Sequence, residues 1–521
     1  MNVMIRQLIV LCFAFTVVVS AQPLNDSLSQ RLNAIKTKYK LAGLSVTVFR
    51  NENILAAGSA GLADVSRSLP VTDSTMYRIA SISKTVAATA LMQLYEQGRF
   101  KLDDDVNSAL GFSLRNPNYP NDAITFRMIL SHTAGLTDGS GYDGFLSATG
   151  SSVIPPISSL LIPSGSHYTS DMWLNKKPGT YFTYSNVSFG VVGTLVERIS
   201  GERFDLYCRD HLFRPLGVDA SFNVSALRNI NNLAVLYRTS GGQWVAQTDN
   251  YKGVPPAPRD LSGYVIGSNG SLFGPQGNLR ISAKDLAKFM IARMNGGIVN
   301  GVRILNDSTA VLMNTAVWTD NGVNGNNYYG LFRSWGLGTH ITTNTANGDI
   351  LFGGKKMAGH PGEAYGLISD SYYELKKNGV GFVFMTNGKD GAYAFGTVSA
   401  FYTVEEAVFA AVNEFLTSVP LSVRSESHML SPSMELQQNF PNPFNPATTI
   451  EYSLPSSNID HHVVLKVYDV LGNDVATLVN ERRSSGKYSV TFDAASLSSG
   501  VYFSQLHIGT LVATRRMLLL K

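Results

Sequence analysis

Ser81 and Lys84, three apart in the run Ser81-Ile82-Ser83-Lys84, form the first pair with chemical potential in this sequence. Positions i and i+3 share one face of a helix, so the spacing sets a lysine amine beside a serine hydroxyl. A lysine kept neutral by burial accepts the serine proton and leaves a nucleophilic oxygen. If the pair opens a helix, the partial positive charge of that end lies where an oxyanion forms on an attacked carbonyl. The reaction class is acyl transfer, which requires no metal and no cofactor. The same motif recurs at Ser484-Ser485-Gly486-Lys487. That copy falls in an expected turn with no apolar periodicity after it, and is read as structural.

The elements that must hold the first pair follow from periodicity. Val86, Ala90, Leu91, Leu94 and Tyr95 form one apolar stripe, which predicts a helix over 85–97 with Gly98 placed to end it. Ahead of it, 44–50 and 54–58 are expected as paired strands. Phe189, Val192, Leu195, Val196 and Ile199 predict a further helix that stops at Ser200-Gly201. A family-like framework helix is expected to begin at Arg280-Ile281-Ser282-Ala283-Lys284-Asp285-Leu286. The Gly/Ser-rich stretch 138–166 contains Tyr142 and Phe145, with Tyr168 just beyond. It reads equally as a lid or pocket wall and as a disordered insertion.

Composition narrows the function classes. The chain has 521 residues, of which 44% are hydrophobic and only 15% charged, with 47 glycines. Soluble domains average ~25% charged, so this balance fits an exported, loop-rich protein. A net charge of +4 without a Lys/Arg stripe argues against a nucleic-acid partner. Two cysteines, Cys12 and Cys208, make neither a disulfide framework nor a cysteine zinc site, and the nine histidines show no metal spacing. Residues 1–21 read as a secretory signal: Arg6, an apolar run from Leu8 to Val19, then Val19-Ser20-Ala21 before the cut. No later stretch is long and apolar enough to span a bilayer.

The run Tyr77-Arg78-Ile79-Ala80-Ser81-Ile82-Ser83-Lys84-Thr85, with Leu94-Tyr95-Glu96-Gln97-Gly98 and Ile129-Leu130-Ser131-His132-Thr133-Ala134-Gly135-Leu136, resembles the serine β-lactamase and penicillin-recognising peptidase superfamily. It is most similar to the class C β-lactamase-like esterases and D,D-peptidases. His132 is taken as a supporting residue. Pro178-Gly179-Thr180-Tyr181-Phe182-Thr183-Tyr184-Ser185-Asn186 matches the second family motif, Tyr-x-Asn. A second match, Tyr119-Pro120-Asn121, is read as a surface turn. The resemblance implies that Tyr184 shares proton transfer with Lys84, and a nearby ammonium is expected to lower the tyrosine pKa. It implies that Asn186 holds the Lys84 amine and the substrate. The third motif departs from the β-lactamases, because no Lys-Thr-Gly occurs. Lys377-Asn378-Gly379 and Lys389-Asp390-Gly391 are read as turns, and His360-Pro361-Gly362 is the better match. Gly362 is expected to let substrate lie against a strand edge. By family analogy the N–H groups of Ser81 and Glu363 form the oxyanion hole. His360 removes a permanent cation that would anchor a substrate carboxylate, which favours ester, amide or D-amino-acid peptide substrates. His507-Ile508-Gly509 also fits His-x-Gly but lies in the tail and is set aside.

Beyond a Ser/Pro/Met-rich linker at 418–434 the pattern turns to β. Val463, Leu465 and Val467 alternate with their neighbours, as do Tyr488, Val490 and Phe492. Turn residues at Leu471-Gly472-Asn473-Asp474 and Ser499-Gly500 complete the signature of a small β-sandwich over 435–521. Gln437-Gln438-Asn439-Phe440-Pro441-Asn442-Pro443-Phe444-Asn445-Pro446, Val467-Tyr468-Asp469-Val470-Leu471-Gly472 and the terminal Arg515-Arg516-Met517-Leu518-Leu519-Leu520-Lys521 resemble a type A sorting domain of the type IX secretion system. The resemblance implies Sec export and then handling by the type IX machinery. The expected whole is an α+β, β-lactamase/transpeptidase-like two-lobed domain at 22–417, with an antiparallel sheet, flanking helices and a helical lobe. The linker and the sandwich follow it. Three functions stand: a secreted serine esterase or amidase; a true β-lactamase or D,D-carboxypeptidase on peptidoglycan; and a non-catalytic surface binding protein on a dead scaffold.

Overall fold

The computed structural model describes residues 21–419, 435–454, 460–484, 486–508 and 511–521. The expected signal, apart from Ala21, and the expected linker, apart from 418–419, lie outside the described residues. The chain divides into two compact units, Met1–Thr417 and Ser418–Lys521.

In the first unit Leu28, Leu32 and Ile35 fall on one face of helix α1 (Ala21–Lys38) and are buried. The helix lies over the strand pair β1 (Gly43–Arg50) and β2 (Asn53–Asp64), where a side chain at Gly58 would strike Leu32. β1 and β2 pair antiparallel, as their sequences predict. Three later strands complete the middle of the sheet: β3 (Met357–Ala364), β4 (Leu367–Glu374) and β5 (Val380–Thr386). The central order is β3-β4-β5-β1-β2, all antiparallel, within a sheet of nine strands among the described residues. Both faces of this centre are covered. Phe382 meets Phe409 of the last helix of the unit, Thr403–Ser418, on one side. Val383 and Met385 join the main core on the other.

That core is shared with the helical lobe. Helix α2 (Ser83–Glu96) buries Val86, Ala90, Leu91 and Leu94, and Gly98 follows it at φ +69°. Helix α3 (Asn186–Ser200) buries Phe189, Val192 and Leu195 and stops at Gly201, φ +77°. The framework helix α4 (Ala283–Met294) is capped by Ser282, whose hydroxyl accepts from the Asp285 N–H. The stretch 138–166 is packed: a short helix, Tyr142–Thr149, and the segment after it bury Tyr142, Phe145, Ile157, Leu160 and Leu161 in the core. The insertion reading is therefore wrong here, because these apolar side chains supply a face to bury.

Among its described residues the second unit has two sheets around one core. Three strands order as Glu435–Leu436, Ala447–Leu454, Gly486–Asp493, and four as Asp474–Arg483, His461–Tyr468, Gly500–Ile508, Leu511–Leu519. Val463, Leu465 and Val467 point inward and Phe492 joins them from the other sheet. The α+β two-lobed domain and the small sandwich are the architectures expected.

Candidate active site

Ser81 sits on a turn pinned from two sides. The strand Met76–Arg78 pairs with Arg280–Ser282, and the Ile79 N–H donates to the Leu279 carbonyl at 2.9 Å. Ala80 is then forced to φ +50°, a left-handed conformation that costs a non-glycine residue about 1 kcal/mol or more. Ser81 belongs to a tight turn, Ala80–Ile82, and α2 starts at Ser83, two residues before the expected 85, so the turn and not the helix carries Ser81. The face-sharing survives, because side chains three apart eclipse in such a turn. From the other side β3 and β4 press on the turn. The Ser369 hydroxyl donates to the Ile79 carbonyl at 3.1 Å. A Cβ at Gly362 would lie 2.6 Å from that carbonyl oxygen and 3.3 Å from the Ser81 nitrogen. This adds a second reason for Gly362. The glycine gives β3 room against the Ser81 turn, and it also borders the cavity. The edge itself is open, since the outer neighbour of β3 pairs only with Ala358 and Gly359.

Lys84 is fully buried. Its Nζ stands 3.0 Å from Ser81 Oγ, 2.7 Å from Asn186 Oδ1 and 2.8 Å from the Gln276 carbonyl. Burial lowers its pKa to about 7, against the opposing pull of the Asp138 carboxylate. A neutral amine has two protons and one lone pair. Asn186 Oδ1 and the Gln276 carbonyl can only accept, so they take the two protons. Ser81 is the one partner with a proton to give, and the lone pair is left for it.

Asn186 is the first residue of α3, after the cap Ser185, whose hydroxyl accepts from the Ser188 N–H. Asp138 fixes it. The Asp138 carboxylate takes the Asn186 backbone N–H at 2.6 Å, the Asn186 amide at 2.7 Å and the Val187 N–H at 3.1 Å. The carboxylate stabilises the helix N-terminus and turns the amide so that its oxygen faces Lys84. Neither Asp138 nor Gln276 was found by sequence reasoning. Asp138 heads a loop with no motif of its own, and Gln276 acts through its backbone.

The Tyr184 hydroxyl is 3.5 Å from His360 Nε2, and the Ser81 side chain favours its ionised form. The Lys84 nitrogen lies 4.8 Å from its ring centroid. The tyrosine pKa is raised, which corrects the expected lowering. Desolvation of a fully buried phenolate dominates, so Tyr184 is a neutral phenol that can donate and accept. His360 is buried as well, and burial followed by Lys84 drives its pKa well below the ordinary range. Its Nδ1 donates to the Pro361 carbonyl, which leaves Nε2 bare towards Tyr184. No permanent cation stands at this position. His132 packs behind Tyr184, ring centroids 4.6 Å apart and planes tilted by 35°, and its Nδ1 accepts from the Ser185 N–H.

Ser81, Tyr184, Asn186, His360, Gly362 and Glu363 border one cavity of about 410 Å³, with Phe332, Ile368 and Phe395 among its apolar walls. All the sequence-proposed residues therefore meet, with Lys84 directly behind the serine. The residues set aside do not. Tyr119-Pro120-Asn121 is a surface turn, and Ser484 is exposed ahead of a strand. Lys377 pairs with Asp307, and Lys389 donates to the Asp390 carbonyl. His507 lies on Gly500–Ile508 of the second unit.

A family model described as Beta-lactamase matches residues 26–398, and one described as Secretion system C-terminal sorting domain matches 438–520. Penicillin-binding protein 4 of Amycolatopsis lactamdurans is 24% identical over 384 residues, 72% of this chain and 86% of that protein. Among solved structures, D-amino acid amidase from Ochrobactrum anthropi SV3 aligns with TM-score 0.54 and 21% identity over 76% of this chain and 99% of its own. D-alanine carboxypeptidase AmpC from Burkholderia cenocepacia aligns with TM-score 0.52 and 20% identity over 77% and 100%. At these identities the two structural likenesses speak for the fold.

Proposed function

The chain belongs to the beta-lactamase family of serine hydrolases, and on that premise we propose that it hydrolyses ester or amide bonds, including those of D-amino-acid peptides, through an acyl-enzyme on Ser81. The carrying observation is Lys84: buried, with a pKa near 7, and 3.0 Å from Ser81 Oγ. Ser81 Oγ attacks the carbonyl carbon while its proton passes to the Lys84 lone pair. Tyr184, a neutral phenol beside both groups, relays that proton to the leaving oxygen or nitrogen as the old bond breaks. The N–H groups of Ser81 and Glu363 receive the oxyanion. Water, deprotonated by the same pair, then cleaves the acyl-enzyme and restores the serine.

The tail is a type IX sorting domain, so the protein is exported to the cell surface or beyond. We assign the hydrolase to 22–417, a linker to 418–434 and the sorting domain to 435–521. The name of the Amycolatopsis relative favours a second reading, D,D-carboxypeptidase or β-lactamase. The neutral His360 disfavours it, since it offers a substrate carboxylate no fixed cation.

The test is intact-mass analysis after fluorophosphonate treatment, with Ser81→Ala as control. One adduct on the wild type and none on the variant is expected. No adduct on folded wild-type protein overturns the reading in favour of a binding scaffold. Parallel assays on an aryl ester, a cephalosporin and a D-Ala-D-Ala peptide then rank substrates, and a cephalosporin ahead by orders of magnitude selects the second reading.

A further inference from the structure

The cavity around Ser81 is charged with one sign. Glu363 and Glu405 stand on its wall, and among the described residues no lysine or arginine does. The Glu363 side chain is exposed, and the Tyr402 hydroxyl donates to its Oε2 at 3.0 Å. That contact positions the carboxylate without neutralising it, and Glu363 has no ion pair among the described residues. Arg238 and Lys389 share with it the wall of a neighbouring cavity, but neither bonds it. Glu405 is different. It is buried beside Asp370: burial first and then Glu405 push the Asp370 carboxyl well up, and burial, with the charges of Glu363 and Glu406, brings the Glu405 carboxyl to about 7. Such a pair retains a proton and adds little charge. Glu363 is thus the carboxylate that an entering molecule meets, beside the apolar surface of Leu331, Phe332 and Phe395.

We propose that the Glu363 side chain determines specificity, selecting molecules that join an ammonium group to an apolar or aromatic body and turning away those that carry a carboxylate. The proposal deepens the hydrolase reading by naming the substrate class, and its primary test needs no turnover. Calorimetry on the full mature chain at low salt compares phenethylammonium with 3-phenylpropionate, which share a ring and differ in charge. The wild type is expected to bind the ammonium about tenfold more tightly. Glu363→Gln should bring the two within about threefold, and Glu363→Ala is the second variant should the first fail to fold. Equal or tighter binding of the carboxylate, binding of neither, or an ammonium preference that survives loss of the Glu363 charge overturns the proposal. A turnover arm uses aryl esters of one acyl body bearing ammonium, no charge or carboxylate. Their ratio within each variant cancels any general loss of rate. Absence of all turnover and of the fluorophosphonate adduct sinks the hydrolase reading while leaving the binding result to stand by itself.

Discussion

Ser-x-x-Lys occurs in both units of this protein, and the surroundings of the two copies differ at every level. Ser81 is held on a left-handed turn at the head of a helix, and Lys84 is buried with two carbonyl acceptors beside it. Ser484 is exposed, and the copy runs into the strand Gly486–Asp493 of a sandwich. Tyr-x-Asn repeats the lesson: Tyr184 and Asn186 flank the Ser185 cap of a buried helix, whereas Tyr119 and Asn121 lie on a surface turn. Burial makes the difference chemical. A lysine in water, near 10.4, is protonated at neutral pH and cannot accept a proton, whereas Lys84 is brought to about 7.

Substitution tests that contrast directly. Ser81→Ala is expected to lower kcat/KM on an aryl ester by more than ~10³-fold, while Ser484→Ala leaves it unchanged. Lys84→Ala is expected to cost ~10²–10⁴-fold and Lys487→Ala nothing, with folding followed by circular dichroism. A substantial loss from either tail variant breaks the comparison. Tyr184→Phe removes the relay hydroxyl and is expected to cost ~10²-fold, against no loss for Tyr119→Phe. The pH profile sharpens the same point. In the proposed mechanism Lys84 acts as the neutral amine, so kcat/KM should fall as pH drops through about 7. A flat profile from pH 5 to 8 would show that another group accepts the serine proton.

The motifs were readable because each is local. Ser81 and Lys84 are one turn apart, Tyr184 and Asn186 flank one cap, and His360 and Gly362 share one strand. The tail strands were readable because each has one inward face, so Val463, Leu465 and Val467 alternate with less buried neighbours. β5 gave no such signal. Every residue from Val380 to Thr386 is buried, since helices cover both faces of the sheet, and the alternation vanishes. The direction of the Tyr184 shift was unreadable for a related reason. The motif supplies the neighbouring lysine, but only the fold supplies the burial that outweighs it.

Asp138 was out of reach because its partners lie 48 and 49 residues away in sequence, at Asn186 and Val187. It supplies the smallest expected effect and the finest test of what sets Lys84 apart. It does not itself line the cavity and acts through Asn186, so it is a positioning residue. Asp138→Asn keeps the size and one acceptor but removes the negative charge. Two consequences follow from the geometry. The Asn186 amide is held less firmly, so kcat/KM should fall about tenfold, mostly in kcat. The carboxylate also raises the Lys84 pKa, so its loss should move the acid limb of the profile to lower pH. A purely structural role predicts lower stability and a uniform loss of rate, with the limb unmoved. A shift to higher pH would contradict the electrostatic account, because removing a nearby negative charge cannot favour the ammonium form.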